Sequence, residues 1–300
     1  MSFYDGTKLL SMKDINGNTP EIYMCTSNRS AGKTTYFGRY FVNRFVKYHE
    51  KFALLYRFAD ELDNVADKFF NDIRGLFFPD LEMTGVKREK GAYIELFINE
   101  VPCGYAIALN LADKIKKFSH MMSDVCRILF DEFQSETDKY APKEVQKFVS
   151  IHASLARGQG KQSKYLPVIM LSNMVSLLNP YYTEFGIAAR LRNDTKFLKG
   201  DGFVLEQGFN DSAANAQKDS AFNRAFKANR QFEYLTQAVY LNDKLSFIEQ
   251  PTGASRYVCS LKFNGKLFGV REFPNEGIVH CSTKADPTYP VKIAVTTDDH

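Results

Sequence analysis

The segment SNRSAGKTT, residues 27–35, constrains the fold of this chain more than any other feature of the sequence. A short apolar run at residues 22–25 precedes it, and apolar residues at helical spacing follow it. Because a phosphate-binding P-loop requires a strand, a tight loop and a helix in this order, the segment predicts such a loop. Its backbone N–H groups and the positive end of the helix would converge on phosphate oxygens. The predicted phosphate-binding residues are Ser27, Asn28, Arg29, Ser30, Ala31, Gly32, Lys33, Thr34 and Thr35.

Two side chains of this loop have specific predicted roles. Lys33 is expected to lie against the β- and γ-phosphates of a nucleotide, and the Thr34 hydroxyl to complete the coordination shell of Mg²⁺. One position departs from the pattern G-x-x-x-x-G-K-[ST], since Ser27 stands where the first glycine is expected. The alternative is an ordinary strand-to-helix turn that happens to contain Gly-Lys-Thr. The loop alone does not decide between the two.

An acidic pair about a hundred residues downstream strengthens the first interpretation. Asp131 and Glu132 follow the apolar residues 125–130, which matches a Walker B strand. In such a pair one acid holds Mg²⁺, and the next polarises the water that attacks the γ-phosphate. A solvated strand end is the alternative for the pair taken by itself. Together with residues 27–35 it indicates hydrolysis by activated water, because small-molecule kinases usually lack the second acid.

A third polar stretch follows the next predicted buried strand. Ser172 and Asn173 come directly after the apolar residues 168–171, where a sensor of the γ-phosphate is expected. An amide at position 173 can hydrogen-bond both the attacking water and the phosphate. The alternative is an asparagine that ends a strand and enters the turn at Asn179. We take Asn173 as the candidate sensor.

Several cations near these motifs are candidates for stabilising charge on the phosphoryl oxygens. Arg157 precedes a polar, glycine-bearing stretch and is a candidate for a catalytic cation that completes the site of a neighbouring subunit. Lys161 is its substitute and Lys117 a weaker candidate for a second such cation, with surface solvation as the alternative for each. Arg29 has two candidate roles, which are contact with phosphate and holding Glu132 in an inactive position.

Alternating strands and helices over the first two thirds of the chain predict a mostly parallel, doubly wound α/β sheet. Ligands of such sheets bind at the carboxyl ends of the strands, where all three polar stretches fall. An antiparallel hairpin with its turn at residues 99–102 is predicted to be inserted between parallel strands. A three-stranded meander with a turn at Asn264-Gly265 is predicted near the end of the chain. The predicted strands are residues 22–25, 52–57, 91–98, 104–109, 125–130, 168–171, 257–263, 267–273 and 278–281.

Length and composition allow one or two domains. With 300 residues and 44% hydrophobic content, the chain can bury one large core or two smaller ones. We expect a P-loop domain over residues 1–200, a basic helical linker over residues 201–235 and a smaller domain over residues 236–300. The basic residues of that linker are Lys218, Arg224, Lys227 and Arg230.

Charge, cysteine content and hydropathy indicate in which cellular environment the protein is expected. The net charge of +4 permits a nucleic-acid partner without arguing for one. Five widely spaced cysteines without a C-x-x-C pair fit reduced thiols rather than disulfides or a zinc site. There is neither a secretory signal nor an apolar run of membrane-spanning length, so we expect a soluble intracellular protein without a membrane partner.

The motifs, in their order, resemble those of one family. The chain is similar to the DNA-packaging (encapsidation) ATPases of small tailed phages of the phi29-like group, and the similarity covers nearly the whole chain. Ser27 and the stretch after Asp211 depart from the family pattern. The segments that carry the resemblance are SNRSAGKTT, VNRFVKYHEKFALLYR, LFDEFQSETDKYAPKEV, VIMLSNMVSLLNPYY, SRYVCSLKFNGKLFGV and the terminal VTTDD.

The resemblance implies a P-loop ATPase domain of the additional-strand, catalytic-glutamate (ASCE) class, a helical linker and a nuclease-like (RNase H-like) domain that has lost its catalytic acids. It implies ATP and Mg²⁺ as ligands and a pentameric ring, in the host cytoplasm, that docks on the portal of a prohead. A packaging RNA takes part in some of the family, and the motor drives double-stranded DNA into the capsid. By position, the resemblance assigns the nucleotide site to Lys33, Thr34, Asp131 and Glu132. It makes Arg29 the loop arginine, Asn173 the sensor and Arg157 the trans-acting cation.

Two further expectations concern chemistry that the motifs leave open. No recognisable pair of acids ends strands of the small domain, so we expect no nuclease activity. DNA contacts are expected to be chiefly to phosphates, with Lys114, Lys116, Lys117, Lys161 and Lys164 as candidates. A nucleotide-gated assembly switch that threads no DNA is the main alternative function. A small-molecule phosphotransferase is disfavoured by the adjacent acids at 131 and 132.

Overall fold

The computed structural model divides the chain into two compact units, residues 1–243 and 244–300. It describes residues 4–157, 162–191, 195–208, 214–215, 218, 220–225, 252–263, 265–296 and 299. In this part of the chain, no helix is long and apolar enough to span a bilayer. The strands of unit 1 are β1 Ile22–Ser27, β2 Lys51–Tyr56, β3 Met83–Arg88, β4 Tyr93–Ile98, β5 Val101–Ala108, β6 Val125–Phe130, β7 Val168–Asn173, β8 Phe197–Gly200 and β9 Phe203–Gln207. The α-helices are α1 Thr7–Ser11, α2 Lys33–Tyr48, α3 Val65–Phe77, α4 Ala112–Phe118, α5 Glu144–Leu155, α6 Pro180–Glu184 and α7 Ala221–Ala225.

The described strands of unit 1 form one nine-stranded sheet in the order β3-β4-β5-β2-β6-β7-β1-β9-β8. All neighbours from β5 through β9 pair in parallel. Antiparallel pairs lie at the two edges, β3-β4-β5 on one side and β9-β8 on the other. Because most of the central strands are buried, they show as continuous apolar runs in the sequence. The mostly parallel α/β sheet is therefore confirmed.

Two apolar layers enclose the sheet. On one face α2 and α3 pack through side chains such as Phe41 and Phe69, which meet Phe52 of β2. On the other face α4, α5 and α6 contribute to a second core, in which Phe148 and Tyr181 pack on Phe130 of β6. Helices on both faces are the doubly wound arrangement, which leaves the carboxyl ends of the parallel strands open for a ligand.

Two sequence predictions about unit 1 need correction. The hairpin β4-β5 exists, but it lies at the sheet edge rather than between parallel strands, because β4 pairs on its far side with β3. All of β3 except Met83 is exposed, so it lacks the apolar alternation by which strands are recognised. The sheet also continues beyond the predicted domain boundary at residue 200, since the buried strand β9 pairs with β1. Between β5 and β6 the chain forms the helix α4 and a 3₁₀ turn, Ser119–Met122.

Unit 2 is described through its strands. β10 Arg256–Phe263, β11 Lys266–Phe273 and β12 Ile278–Ser282 form the predicted antiparallel meander. A short strand, β13 Lys292–Ala294, pairs in parallel with β10. Asn264 of the predicted hairpin turn lies outside the described residues, and Gly265 has φ +71°, a value that favours glycine. Most of the predicted linker, including Lys227 and Arg230, also lies outside them. Of the linker's other basic residues, Arg224 is within α7 and Lys218 is exposed in a helical segment.

Candidate functional site

The segment 27–35 joins the carboxyl end of β1 to the start of α2. Ser27 is the last residue of β1, and α2 begins at Lys33. Between them the backbone enters the left-handed region at Ser30, with φ +63°, and at Gly32, with φ +90°. Gly32 reaches this conformation without a Cβ penalty, and the loop is fixed from outside by a hydrogen bond from Tyr4 N to Ala31 O of 3.0 Å. The turn therefore needs glycine at position 32 and not at position 27.

Lys33 is buried beneath the loop, with only 6% of its surface exposed. Its Nζ donates to Ser27 Oγ at 2.8 Å, and to Asn28 O and Asn173 Oδ1 at 3.3 Å each. Burial lowers the pKa of this ammonium group, an effect opposed by the nearby Cys25, Asp131 and Glu132. All three hydrogen-bond acceptors are uncharged, so an anion brought into the loop would give Lys33 a stronger partner.

Thr34 and Asp131 meet at the mouth of the loop. Thr34 Oγ1 donates to Asp131 Oδ2 at 2.9 Å, and the other carboxylate oxygen accepts from Glu132 N at 2.9 Å. Burial raises the pKa of Asp131, and the hydrogen bonds from Thr34 and Glu132 oppose that rise. A hydroxyl and a carboxylate side by side are the hard oxygen donors that Mg²⁺ prefers.

Glu132 projects from a backbone turn with φ +55°, a conformation that is costly for a residue with a Cβ. Its pKa is raised by desolvation and by the neighbouring Asp131 and Glu136, and lowered by Arg29 and Arg57. Glu132 lines an open cleft of about 470 Å³ above the loop and also a second cavity of about 320 Å³ beside it. The other residues around the cleft are Arg29, Ser30, Ala31, Gly32, Lys33, Thr34, Thr35, Asp72, Asp131, Ser172 and Asn173.

Asn173 ends β7 and connects the loop to a further acid. Its Oδ1 accepts from Lys33 Nζ, and its Nδ2 donates to Glu136 Oε1 at 3.3 Å. Arg29 makes an ion pair with Glu136 at 3.7 Å, with 56% of the arginine side chain exposed. The ion pair of Arg29 is therefore with Glu136 and not with Glu132. Glu136 was not predicted, although it lies four residues beyond Glu132 in the segment that carried the resemblance.

The chain does not bring Arg157 into its own cleft. Arg157 is exposed and follows α5, which starts near the carboxyl end of β6 and ends near the amino-terminal edge of the sheet. Lys164 marks that edge, because its N donates to Ala156 O and its Nζ to Val125 O, at the start of β6. Lys161 lies outside the described residues, and Lys117 is exposed on α4.

The other candidates for DNA contact differ in their surroundings. Lys164 is tied to backbone carbonyls of Ser123 and Val125, and Lys116 pairs with Asp113 at 3.3 Å. Lys114 is exposed on α4. The part-buried ammonium of Lys164 is therefore less available to an anion than the exposed lysines of α4.

Comparisons with known proteins identify the family of this chain. A model of the podovirus DNA encapsidation protein (Gp16) family matches residues 1–300. The DNA packaging protein of Bacillus phage phi29 is 29% identical over 299 residues, which cover 99% of this chain and 83% of that protein. The DNA packaging protein of Bacillus phage B103 is 27% identical, and the match covers 90% of this chain and 80% of that protein.

Solved structures from phage phi29 give the same result at the level of the fold. The N-terminal domain of its DNA packaging ATPase is 30% identical, with a TM-score of 0.55, and the match covers 69% of this chain and 96% of that chain. The chain in the phi29 genome packaging motor assembly is 28% identical, with a TM-score of 0.65. The match covers 99% of this chain and 85% of that chain. The chain belongs to the podovirus DNA encapsidation protein (Gp16) family.

Proposed function

We propose that this protein is an ATP-hydrolysing motor that drives double-stranded viral DNA into a preformed capsid. The observation that carries the proposal is the meeting of Lys33, Thr34, Asp131, Glu132 and Asn173 around one cleft at the carboxyl ends of β1, β6 and β7. Proteins that carry related sequences are named DNA packaging proteins and a DNA packaging ATPase. Those names support DNA as the molecule that is translocated and ATP as the nucleotide that is hydrolysed.

Residues 27–35 fit a nucleotide's phosphates, and Thr34 with Asp131 fits Mg²⁺. No cluster of three or more His, Cys, Asp or Glu suited to a metal occurs among the described residues. A metal here would therefore take only part of its coordination shell from the protein, as is usual for Mg²⁺ bound with nucleotide phosphates. Mg²⁺ held by Thr34 and Asp131 would supply positive charge that offsets the charge of the nucleotide's phosphates.

The protein's own residues then divide the work of hydrolysis. Lys33 directs its buried charge toward the phosphates, and its present hydrogen bonds to neutral oxygens are replaceable. Glu132 accepts the proton of the attacking water, a role that a carboxylate with a raised pKa fits near neutral pH. Asn173, which already contacts Lys33, is placed to respond to the loss of the γ-phosphate.

A ring explains the position of Arg157. This arginine is exposed and remote from its own cleft, so its proposed catalytic role requires a neighbouring subunit. We propose a homo-oligomeric ring, pentameric by analogy with the family, that docks on the capsid portal and on a packaging RNA where one is used. A motor must grip any sequence, so DNA binding is expected through phosphates and should weaken steeply with salt.

The first test is the turnover of a Glu132→Gln variant. We expect ATP binding to persist and hydrolysis to fall by about 10²–10⁴-fold, the usual range for loss of a general base. ATPase rates are measured with and without double-stranded DNA, over protein concentrations that span ring assembly. Glu100→Gln is the matched control, because Glu100 is also exposed at a positive φ but lies in the remote β4–β5 turn. Turnover near wild type in Glu132→Gln would refute the assignment of the base.

The second test mixes two inactive variants. In a ring with a trans-acting arginine, an Arg157→Ala subunit keeps its own Glu132, and a Glu132→Gln neighbour supplies the missing Arg157. We expect each pure variant to be inactive and mixtures to recover part of the DNA-stimulated ATPase activity. No recovery at any mixing ratio, with assembly verified by light scattering, would remove the support for a trans role.

A further inference from the structure

We infer that Arg57 is a positioning residue that fixes the main chain of Glu132 from beneath, through a buried cluster that also contains Glu144 and Tyr181. This inference rests on the proposed function, because it concerns how the proposed general base is held. The three residues, called the Arg57 cluster below, come from three different elements. Arg57 follows β2, Glu144 begins α5, and Tyr181 lies in α6.

The ion pair at the centre of the cluster is almost completely buried. Arg57 Nε donates to both carboxylate oxygens of Glu144, at 3.1 and 3.0 Å, and the side chains are 7% and 1% exposed. Tyr181 Oη donates to Glu144 Oε1 at 3.0 Å, and Ala141 N donates to Glu144 Oε2 at 2.7 Å. The carboxylate thus has a donor on each side, which holds the guanidinium in one orientation.

The remaining end of the guanidinium reaches the acidic turn. Arg57 Nη2 donates to Glu132 O at 3.2 Å and to Phe133 O at 2.8 Å. Glu132 is the residue whose φ of +55° is costly, and such a conformation persists only where its surroundings hold it. The two carbonyls bound by Arg57 lie immediately after this φ angle. The cluster is therefore the side-chain contact that holds these two carbonyls and, with them, the direction of the Glu132 side chain between the two cavities that it lines.

Stability alone does not account for this arrangement. A buried ion pair is weak evidence for stability, because the loss of hydration of both charges offsets their attraction, and apolar residues of similar volume often serve as well. The surroundings here are apolar and aromatic, with Phe130 and Phe148 packed against Tyr181. What an apolar replacement cannot do is donate two hydrogen bonds to the Glu132 and Phe133 carbonyls. What the cluster specifically determines is the backbone geometry of the turn at Glu132 and Phe133.

The test uses a double variant that removes both charges together. In Arg57→Met/Glu144→Met no buried charge is left without a partner, so the fold is expected to persist. The matched control is Arg88→Met/Glu95→Met, which removes another Arg–Glu pair, Nε to Oε2 at 2.8 Å, from the edge strands β3 and β4. Tyr181→Phe provides a milder variant, because it removes one hydrogen bond to Glu144 and no charge.

Two readouts are measured on the full chain. The first compares the steady-state rate of ATP hydrolysis with the affinity for a fluorescent ATP analogue. We expect a turnover at least 30-fold lower in the double variant and several-fold lower in Tyr181→Phe, with affinity changed less than threefold in both. The second is the set of backbone ¹³C chemical shifts of Glu132 and Phe133 from NMR, assigned with Glu132→Gln. Because Arg57 Nη2 donates to both carbonyl oxygens, we expect these shifts to change in the double variant and to stay unchanged in Arg88→Met/Glu95→Met.

The outcomes separate this inference from the proposed function. Wild-type turnover and unchanged Glu132 and Phe133 backbone shifts in a folded double variant would overturn the inference. If the double variant does not fold, Tyr181→Phe decides by the same criterion, with wild-type turnover against it. If the wild-type chain hydrolyses no ATP, the proposed function fails, and the Glu132 and Phe133 backbone shifts in the variants still decide whether the Arg57 cluster holds this turn.

Discussion

Ser27, which stands in place of the first glycine of the P-loop pattern, gives the sharpest test of how this loop works. Its Oγ accepts from the buried Lys33 ammonium at 2.8 Å and lies 3.1 Å from Asn28 O, to which it donates. Its backbone has no positive φ, so glycine is not needed there for conformation. The hydroxyl therefore acts as a neutral stand-in partner for Lys33, and Ser27→Ala removes that partner without changing the backbone.

The size of the effect follows from the remaining contacts. A hydrogen bond to a charged group contributes about 1.5–3 kcal/mol. Lys33 keeps two weaker acceptors at 3.3 Å, Asn28 O and Asn173 Oδ1, so the low end of that range applies. We expect Ser27→Ala to lower the free energy of unfolding by about 1.5 kcal/mol, which is about 3–6 °C in Tm for a unit of this size. Ser27→Gly should lose a further ~0.5–1 kcal/mol through backbone entropy.

Nucleotide binding should respond in the opposite direction. If the phosphates take over Lys33, the wild type loses the Ser27 bond on binding while Ser27→Ala has none to lose. Ser27→Ala should therefore bind nucleotide more tightly than the wild type, by up to about tenfold for 1.4 kcal/mol. Tm without nucleotide and affinity for an ATP analogue are measured for Ser27→Ala and for Ser119→Ala, an exposed hydroxyl that donates to a carbonyl. A Ser27→Ala protein with wild-type Tm and wild-type affinity would refute the reasoning.

Two further predictions test other parts of unit 1. Desolvation, Asp131 and Glu136 raise the pKa of Glu132 above its unfolded value, so its ionisation costs stability as pH rises from about 4.3 upward. Glu132→Gln should therefore raise Tm at pH 7 and have little effect at pH 4, and an equal effect at both values would contradict this. Gly104→Ala should destabilise or prevent folding, because its Cβ would lie 2.1 Å from Phe52 O, where β5 pairs with β2. Gly75→Ala, in α3 with open space around it, is the control and should be neutral or stabilising by thermal melting.

Much of the fold could be predicted from the sequence because buried parallel strands leave continuous apolar runs. Strands β1, β2, β6 and β7 were found in this way, each within a few residues of its bounds. The edge strand β3 was missed, because its exposed residues carry no apolar pattern. The extension of the sheet through β9 was missed for a different reason. β8 and β9 are short, and the place of β9 beside β1 depends on pairing between distant segments.

The candidate site shows the same division between local and distant information. Lys33, Thr34 and the acidic pair were predicted because each sits in a short motif whose spacing reflects local backbone geometry. Glu136 and Arg57 sit in no such motif. In the sequence, Arg57 is only an arginine at the end of a strand. Its partner Glu144 lies 87 positions further along the chain, and the two meet only in the folded protein. A charge that is buried only by tertiary packing has no signature in a single sequence.

The strand order explains why Asn173, rather than either of the acids, contacts the P-loop lysine. β7 lies between β6 and β1 in the sheet, and its last residue pairs in register with Ser27. Asn173 is thus the direct neighbour of the residue that holds Lys33. On its other side the amide binds Glu136, which lies beyond the turn formed by Asp131 and Glu132. A side chain in this position contacts the loop and the acidic segment at once. Because only the middle one of three adjacent strand ends can do so, the strand order favours Asn173 as the residue that responds to the γ-phosphate in the proposed mechanism.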